Sequence, residues 1–131
     1  MKRDWDVIRE VLIEVEGLSD DNNDRGPNNR GQKVYGMGDE HVAGEATKSA
    51  HALMLWKAGY IEAIDAGTMG GPAIISPDLT WQGHELLDTL RSKPVWERIK
   101  TTAKEKGLEL SFDVVKGLGK MALDYVIKQG G

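Results

Sequence analysis

The segment that most constrains the fold runs from His51 to Leu87. A helix-like phrase, His51-Ala52-Leu53-Met54-Leu55-Trp56-Lys57-Ala58, stops at Gly59, and an extended stretch begins at once with Tyr60-Ile61. Glycine is the residue best able to take the left-handed conformation past a helix end, so Gly59 reads as a stop. Two extended stretches follow, Tyr60 to Ala66 and Ala73 to Ser76, and the turn-forming run Gly67-Thr68-Met69-Gly70-Gly71-Pro72 between them predicts a hairpin. Pro77-Asp78 then leads to Thr80, whose hydroxyl suits the cap of a helix over Trp81 to Arg91. Helix, strand, turn, strand and helix in this order usually present a helix and a hairpin tip to a macromolecule.

Upstream, Trp5, Ile8, Leu12 and Val15 recur at spacings of three and four, with Val11 beside them, which predicts a helix from Asp4 to Glu16. Asp4 is placed to cap it, Asp6 to favour its positive end, and Gly17 to end it. The polar run over residues 18–33, rich in Asn and Asp with Gly26-Pro27 at its centre, reads as a long surface loop. Lys33-Val34-Tyr35 is expected to form a short strand pairing with the hairpin, Asp39 to Val42 a brief helix, Gly44 a turn, and Glu45 to Ala58 the helix that ends at Gly59. Downstream, Pro94 starts a helix through Lys104 with Gly107 closing it, and Ser111 caps another to Lys128. The fold class expected is α+β and mainly helical: a winged helix-turn-helix over residues 1–91, with a small β hairpin as its wing, and a helical carboxyl-terminal extension over 92–131.

Several chemistries are disfavoured by the residues themselves. The chain has no cysteine among its 131 residues, so neither a disulfide framework nor a thiolate metal site is available, which suits a reducing cytoplasm. Met1 to Asp6 places acids where a signal peptide needs apolar residues, and no run of about 18 apolar residues offers a membrane span. Asp20, Asn22 and Asp24 alternate like a calcium loop, but the required Gly is displaced to Gly26 and Gly31 stands where a closing Glu belongs. His41, His51 and His84 lack the spacing of a helical zinc site, and Gly67, Gly70 and Gly71 are followed by no Lys-Ser/Thr of a phosphate loop. Ser49 and Ser111 fall at helical positions outside any nucleophile elbow, and no carboxylate pair is marked by spacing. No metal, cofactor or enzymatic activity is expected.

Binding remains: the leading expectation is a DNA-binding protein of the transcription-regulator type, and the alternative is a protein-binding inhibitor of a host machine. For double-stranded DNA, the candidate contacts on the helix before Gly59 are Lys48, Ser49, His51 and Lys57. The formal charge of −4 and a wing from Ile64 to Ser76 without a single Lys or Arg argue against a strong phosphate footprint. Cations gather instead at Arg91, Lys93, Arg98, Lys100, Lys104 and Lys106, which form either a phosphate-facing surface or a solvated helix. For a protein partner, such as a host machine that the chain would inhibit, the candidates are Leu53, Trp56 and Met69 with the acidic residues Asp39, Glu40 and Glu45, which could imitate nucleic-acid charge. Leu53 and Trp56 are expected partly outward because Ala52 and Leu55 take the inward positions. Val114, Leu118, Met121 and Tyr125 follow at heptad-like spacing in the last helix and are candidates for a homodimer seam, though Gly117 and Gly119 weaken that helix unless packing compensates.

The opening Met1-Lys2-Arg3-Asp4-Trp5-Asp6-Val7-Ile8-Arg9, the phrase His51 to Ile61, the turn Leu79-Thr80-Trp81-Gln82-Gly83-His84 and the late Ser111-Phe112-Asp113-Val114-Val115-Lys116 together resemble the domain of unknown function 2513, found in phages, prophages and other mobile elements. The resemblance covers most of the chain in register. The long Asn/Asp loop, Ala52 and Trp56 depart from it. It implies a mobile-element context, including an anti-defence role as one setting for a protein-binding inhibitor, and no particular mechanism.

Overall fold

The structure is a computed structural model that describes residues 3–21, 34–36 and 43–130, without the side chains at 19–21, 43–45, 126, 129 and 130. The described residues form an α+β architecture, mainly helical: α1 (Trp5–Asp21), β1 (Val34–Gly36), α2 (Ala43–Lys57), β2 (Ile61–Asp65), β3 (Ala73–Leu79), α3 (Trp81–Arg91), α4 (Lys93–Lys106) and α5 (Phe112–Gly130). Contacts divide the chain into two compact units, Met1–His84 and Glu85–Gly131, with the division falling inside α3. The brief helix expected over 39–42 and most of the 18–33 loop lie outside the described residues.

In the first unit, the apolar stripe of α1 is the core seam foreseen from its spacing. Trp5, Ile8, Val11, Leu12 and Val15 are all buried, each removal from water contributing about 1.5–3 kcal/mol. The Asp4 carboxylate accepts from the backbone N–H groups of Asp6 and Val7 at 3.0 and 3.3 Å, satisfying two donors of the first turn. Gly17 does not end the helix. A glycine inside a helix costs about 1 kcal/mol relative to alanine without forbidding helical geometry, and α1 continues to Asp21, taking in the first residues of the expected loop.

The sheet is antiparallel with order β1-β3-β2. Val34, Tyr35 and Gly36 oppose Ile75, Ile74 and Ala73, so the expected pairing of the first strand with the hairpin is observed. Strand β3 runs past Ser76 to Leu79, three residues beyond the expected end. A bulge makes this extension workable. Between the Glu62–Asp78 and Ile64–Ile75 pairs, β3 carries one more residue than β2, and Ser76 takes φ 53°. The inserted residue resets the alternation so that Pro77 and Leu79 turn inward. Among the described residues β1 pairs with β3 only as far as Ile75, so no described residue of β1 requires a donor from Pro77.

The base of the hairpin is tightly constrained. Gly59 takes φ +89°, and the N–H of Tyr60 reaches back to the Leu55 carbonyl at 2.9 Å, closing α2 as the sequence indicated. Thr80 donates its hydroxyl to the Gly59 carbonyl at 2.6 Å and accepts from the Gly83 N–H at 3.1 Å, so one side chain caps α3 and ties it to the end of α2. Gly83 admits no side chain: a Cβ there would stand 2.0 Å from the Tyr60 carbonyl oxygen.

In the second unit, Ser92 caps α4 by accepting from the Val95 N–H, and Gly107 ends it in the left-handed conformation at φ 65°. Ser111 caps α5 through the Val114 N–H at 3.1 Å. Helices α4 and α5 pack together, with Val95, Trp96, Ile99 and Ala103 buried from one and Val115, Leu118 and Ala122 from the other. Gly119 is required by packing, since a Cβ there would meet the Thr89 methyl at 2.4 Å, whereas Gly117 faces open space.

Candidate functional site

Helix α2 turns two of its polar residues, Ser49 and His51, inward. His51 is 1% exposed and Ser49 is also buried, so neither occupies the outward position expected of a DNA contact. The reason is structural. His51 Nδ1 lies 2.8 Å from the Thr47 carbonyl, which fixes the tautomer that carries its proton on Nδ1. Its Nε2 then accepts the backbone N–H of Asp4 at 2.9 Å, so the imidazole ties α2 to the residue that caps α1.

Lys48 is half-buried and paired with Glu14 at 3.3 Å, and the other oxygen of the same carboxylate accepts the Tyr35 hydroxyl at 2.6 Å. That carboxylate joins α1, β1 and α2. Of the four DNA-contact candidates, only Lys57 is exposed. The basic cluster of the second unit is partly committed as well: Arg91 pairs with Asp88, Lys100 with Glu97 while lying over the Trp96 ring, and the Arg98 guanidinium stacks 4.1 Å from the centre of the Tyr125 ring.

The protein-interface candidates divide in the same way. Leu53 is buried in the core, which corrects the expectation that it points outward; Trp56 is half-exposed and Met69 fully exposed. Asp39 and Glu40 lie outside the described residues, as does the side chain of Glu45. Met69 stands at the tip of the hairpin, where Thr68 and Gly71 exchange two backbone hydrogen bonds of 3.0 Å around it. The tip therefore holds its shape without using the Met69 side chain.

Sequence periodicity gave no warning of Val34 and Ile64, which are exposed in this unit together with Ile13 and Trp81. The cross-strand register was needed to find the first two, because it sets Val34 opposite Ile75 and Ile75 opposite Ile64 on the solvent side of the sheet. Trp81 could be foreseen as exposed only from the α3 stripe, in which Gly83, Leu86, Leu87 and Leu90 are the buried residues.

The heptad-spaced candidates of α5 do not form one outward seam. Leu118 is buried within its own unit and Val114 half-buried, while Met121 and Tyr125 are exposed beside Leu123 and Ile127. The second unit also has an open concavity of about 320 Å³ lined by Glu85, Thr89, Lys116, Gly117 and Lys120, where charges of both signs meet. Among the described residues, no three His, Cys, Asp or Glu side chains gather to hold a metal ion, and no helix is long and apolar enough to cross a membrane.

Comparison with known proteins places the chain in a family. The family model described as "Hypothetical protein (DUF2513)" matches residues 2–109. A protein of Haemophilus influenzae, described as an uncharacterized protein, is 38% identical over 127 residues, covering 97% of this chain and 99% of its own length. No solved structure matches the chain.

Proposed function

The chain belongs to the DUF2513 family, and from that premise and the geometry above we propose that its first unit is a winged-helix-type module that binds a protein rather than DNA. Support for the winged-helix reading comes from the order α1, β1, α2 and hairpin, together with the sheet order β1-β3-β2. The partner class follows from one observation: α2 commits to the fold the polar residues that would read a duplex. His51 and Ser49 are internal, Lys48 is held by Glu14, and no Lys or Arg occurs from Gly59 to Thr80 to supply a cationic wing. Without several cations at the contact surface, little counterion release is available to drive phosphate binding. The acidic balance of the chain and the exposed Met69 fit a protein surface instead. The mobile-element context implied by the family resemblance supports a host complex, such as a defence machine, as the class of partner, with the chain acting as a non-enzymatic inhibitor.

A salt titration against mixed-sequence double-stranded DNA tests this reading, at about 50 to 200 mM, the range in which phosphate-driven complexes lose affinity steeply. The expected result is no salt-sensitive complex, with wild type and Lys57→Ala indistinguishable. A steep salt slope that Lys57→Ala reduces would establish the DNA-binding regulator in its place.

A further inference from the structure

We propose that the concavity between α3 and α5 is a binding site for a small zwitterion, a molecule that carries an ammonium and a carboxylate a few bonds apart, as a free α-amino acid does. The site lies in the second unit alone and does not depend on the partner of the first.

Two helices make its walls. Glu85 and Thr89 stand one turn apart on α3, and Lys116, Gly117 and Lys120 stand on α5, bounding about 320 Å³. That volume is at the lower end of the range for small-molecule sites, so the occupant is the size of a metabolite rather than a chain segment. The close contact of Gly119 with Thr89 fixes the walls against each other, since a Cβ at 119 would stand 2.4 Å from the Thr89 methyl.

Gly117 is the wall residue that the fold does not explain. Glycine serves a chain where φ is positive or where a neighbour comes too close for a Cβ. Neither holds at 117: the backbone is helical, and a Cβ there would meet nothing within 4 Å. Alanine would favour the helix at no steric cost. What the glycine does is keep the α5 wall of the concavity open between Lys116 and Lys120.

The charges set the chemistry of the ligand. Glu85 and Lys120 line the same space, yet among the described residues neither side chain makes a hydrogen bond or an ion pair. Opposite charges that share a concavity without closing on each other are bridged by a molecule with the complementary pair, its ammonium beside Glu85 and its carboxylate beside Lys120. The Thr89 hydroxyl donates to the Glu85 carbonyl at 3.2 Å, which leaves its oxygen to accept from the same ammonium. An anion or a cation alone would meet one favourable and one unfavourable charge, so the site discriminates by charge separation.

Titration of the isotope-labelled full chain, followed by NMR, tests the site with glycine, L-leucine, acetate and methylammonium at equal ionic strength. Both zwitterions should shift the backbone amides of Glu85, Thr89 and Lys116 to Lys120 in a saturable way at millimolar concentrations. The two single charges should bind about tenfold or more weakly, the factor that loss of one charge-assisted hydrogen bond implies. Glu85→Gln and Lys120→Gln should each weaken glycine binding by about the same factor. Gly117→Leu fills the concavity with a better helix former, so it is expected to melt at an equal or higher temperature than wild type and to bind neither zwitterion. No saturable shift, equal binding of acetate or methylammonium, or undiminished binding by a folded Gly117→Leu would each overturn the site.

Discussion

Helix α2 and the β2–β3 hairpin invert the usual relation between polarity and exposure. The helix carries Ser49 and His51, side chains that look like contacts, and buries both; the hairpin carries Ile64 and Met69, side chains that look like core, and exposes both. Each inversion has a physical reason. A buried polar group must find partners, and His51 finds two, at the Thr47 carbonyl and the Asp4 N–H. Exposed Met69 has none to find, because the backbone bonds of Thr68 and Gly71 already close the turn. Polarity on α2 therefore serves the fold, while the outward thioether at the hairpin tip takes no part in the bonds that hold it. A side chain that contributes nothing to stability and is kept in water is the better candidate for a partner.

The largest effect is expected where the hairpin joins α3. Gly83→Ala would drive a methyl into the Tyr60 carbonyl oxygen, and backbone on both sides must move to relieve it. A loss of about 3 kcal/mol is expected in urea unfolding, near the upper end for overpacking. A loss below about 1 kcal/mol would show that the base of the hairpin is as unconstrained as its tip and would dissolve the contrast.

A smaller loss is expected in α2. His51→Leu keeps the volume but removes the acceptor of the Asp4 N–H and the donor to Thr47. The resulting cost is about 1–2 kcal/mol, since an unsatisfied donor at a part-buried site forfeits most of its hydrogen bond. Hydrogen exchange locates the effect: faster exchange at Asp4 and the first turn of α1 is the expected signature. An unchanged unfolding midpoint would free His51 for a role at a surface.

These positions show which parts of the molecule can be read from residues alone. Element type was legible wherever a single chemical rule acts locally: the three-and-four stripe of α1, the left-handed stop at Gly59, the Thr80 and Ser111 caps, and the Val34–Tyr35 strand. Ends were less so, because Gly17 and Gly44 lower helix propensity by an amount that neighbouring turns can outweigh. The bulge at Ser76 was hidden, since what it does depends on which residues of β2 stand opposite. Surface assignment was the least legible of all. Whether Leu53 or Trp56 faces inward follows from where α1 and β3 lie against α2, and one helix's periodicity contains no record of that. The same limit applies to His51, whose partner Asp4 is 47 residues away. At α5, heptad spacing identified an apolar arc correctly but could not tell that Leu118 is covered within its own unit while Met121 and Tyr125 are left exposed.

The smallest stability effect is expected at the hairpin tip, and its smallness is the point. Met69→Ser removes a fully exposed thioether from a turn whose shape is set by the paired backbone bonds of Thr68 and Gly71 and by the Gly70 N–H donating to the Thr68 hydroxyl. None of those bonds involves the substituted side chain, so the change in unfolding free energy should stay within about 0.5 kcal/mol, the range for surface positions without special contacts. Because the fold is indifferent, any loss of partner affinity in this variant reads directly as a contact made by the tip. Unfolding in urea and partner binding, measured on the same preparation, separate the two. Lower stability would mean that Met69 packs on something in solution and that the tip belongs with α2 among the pinned parts of the molecule. Unchanged stability with unchanged binding would remove the tip from the partner's contact surface.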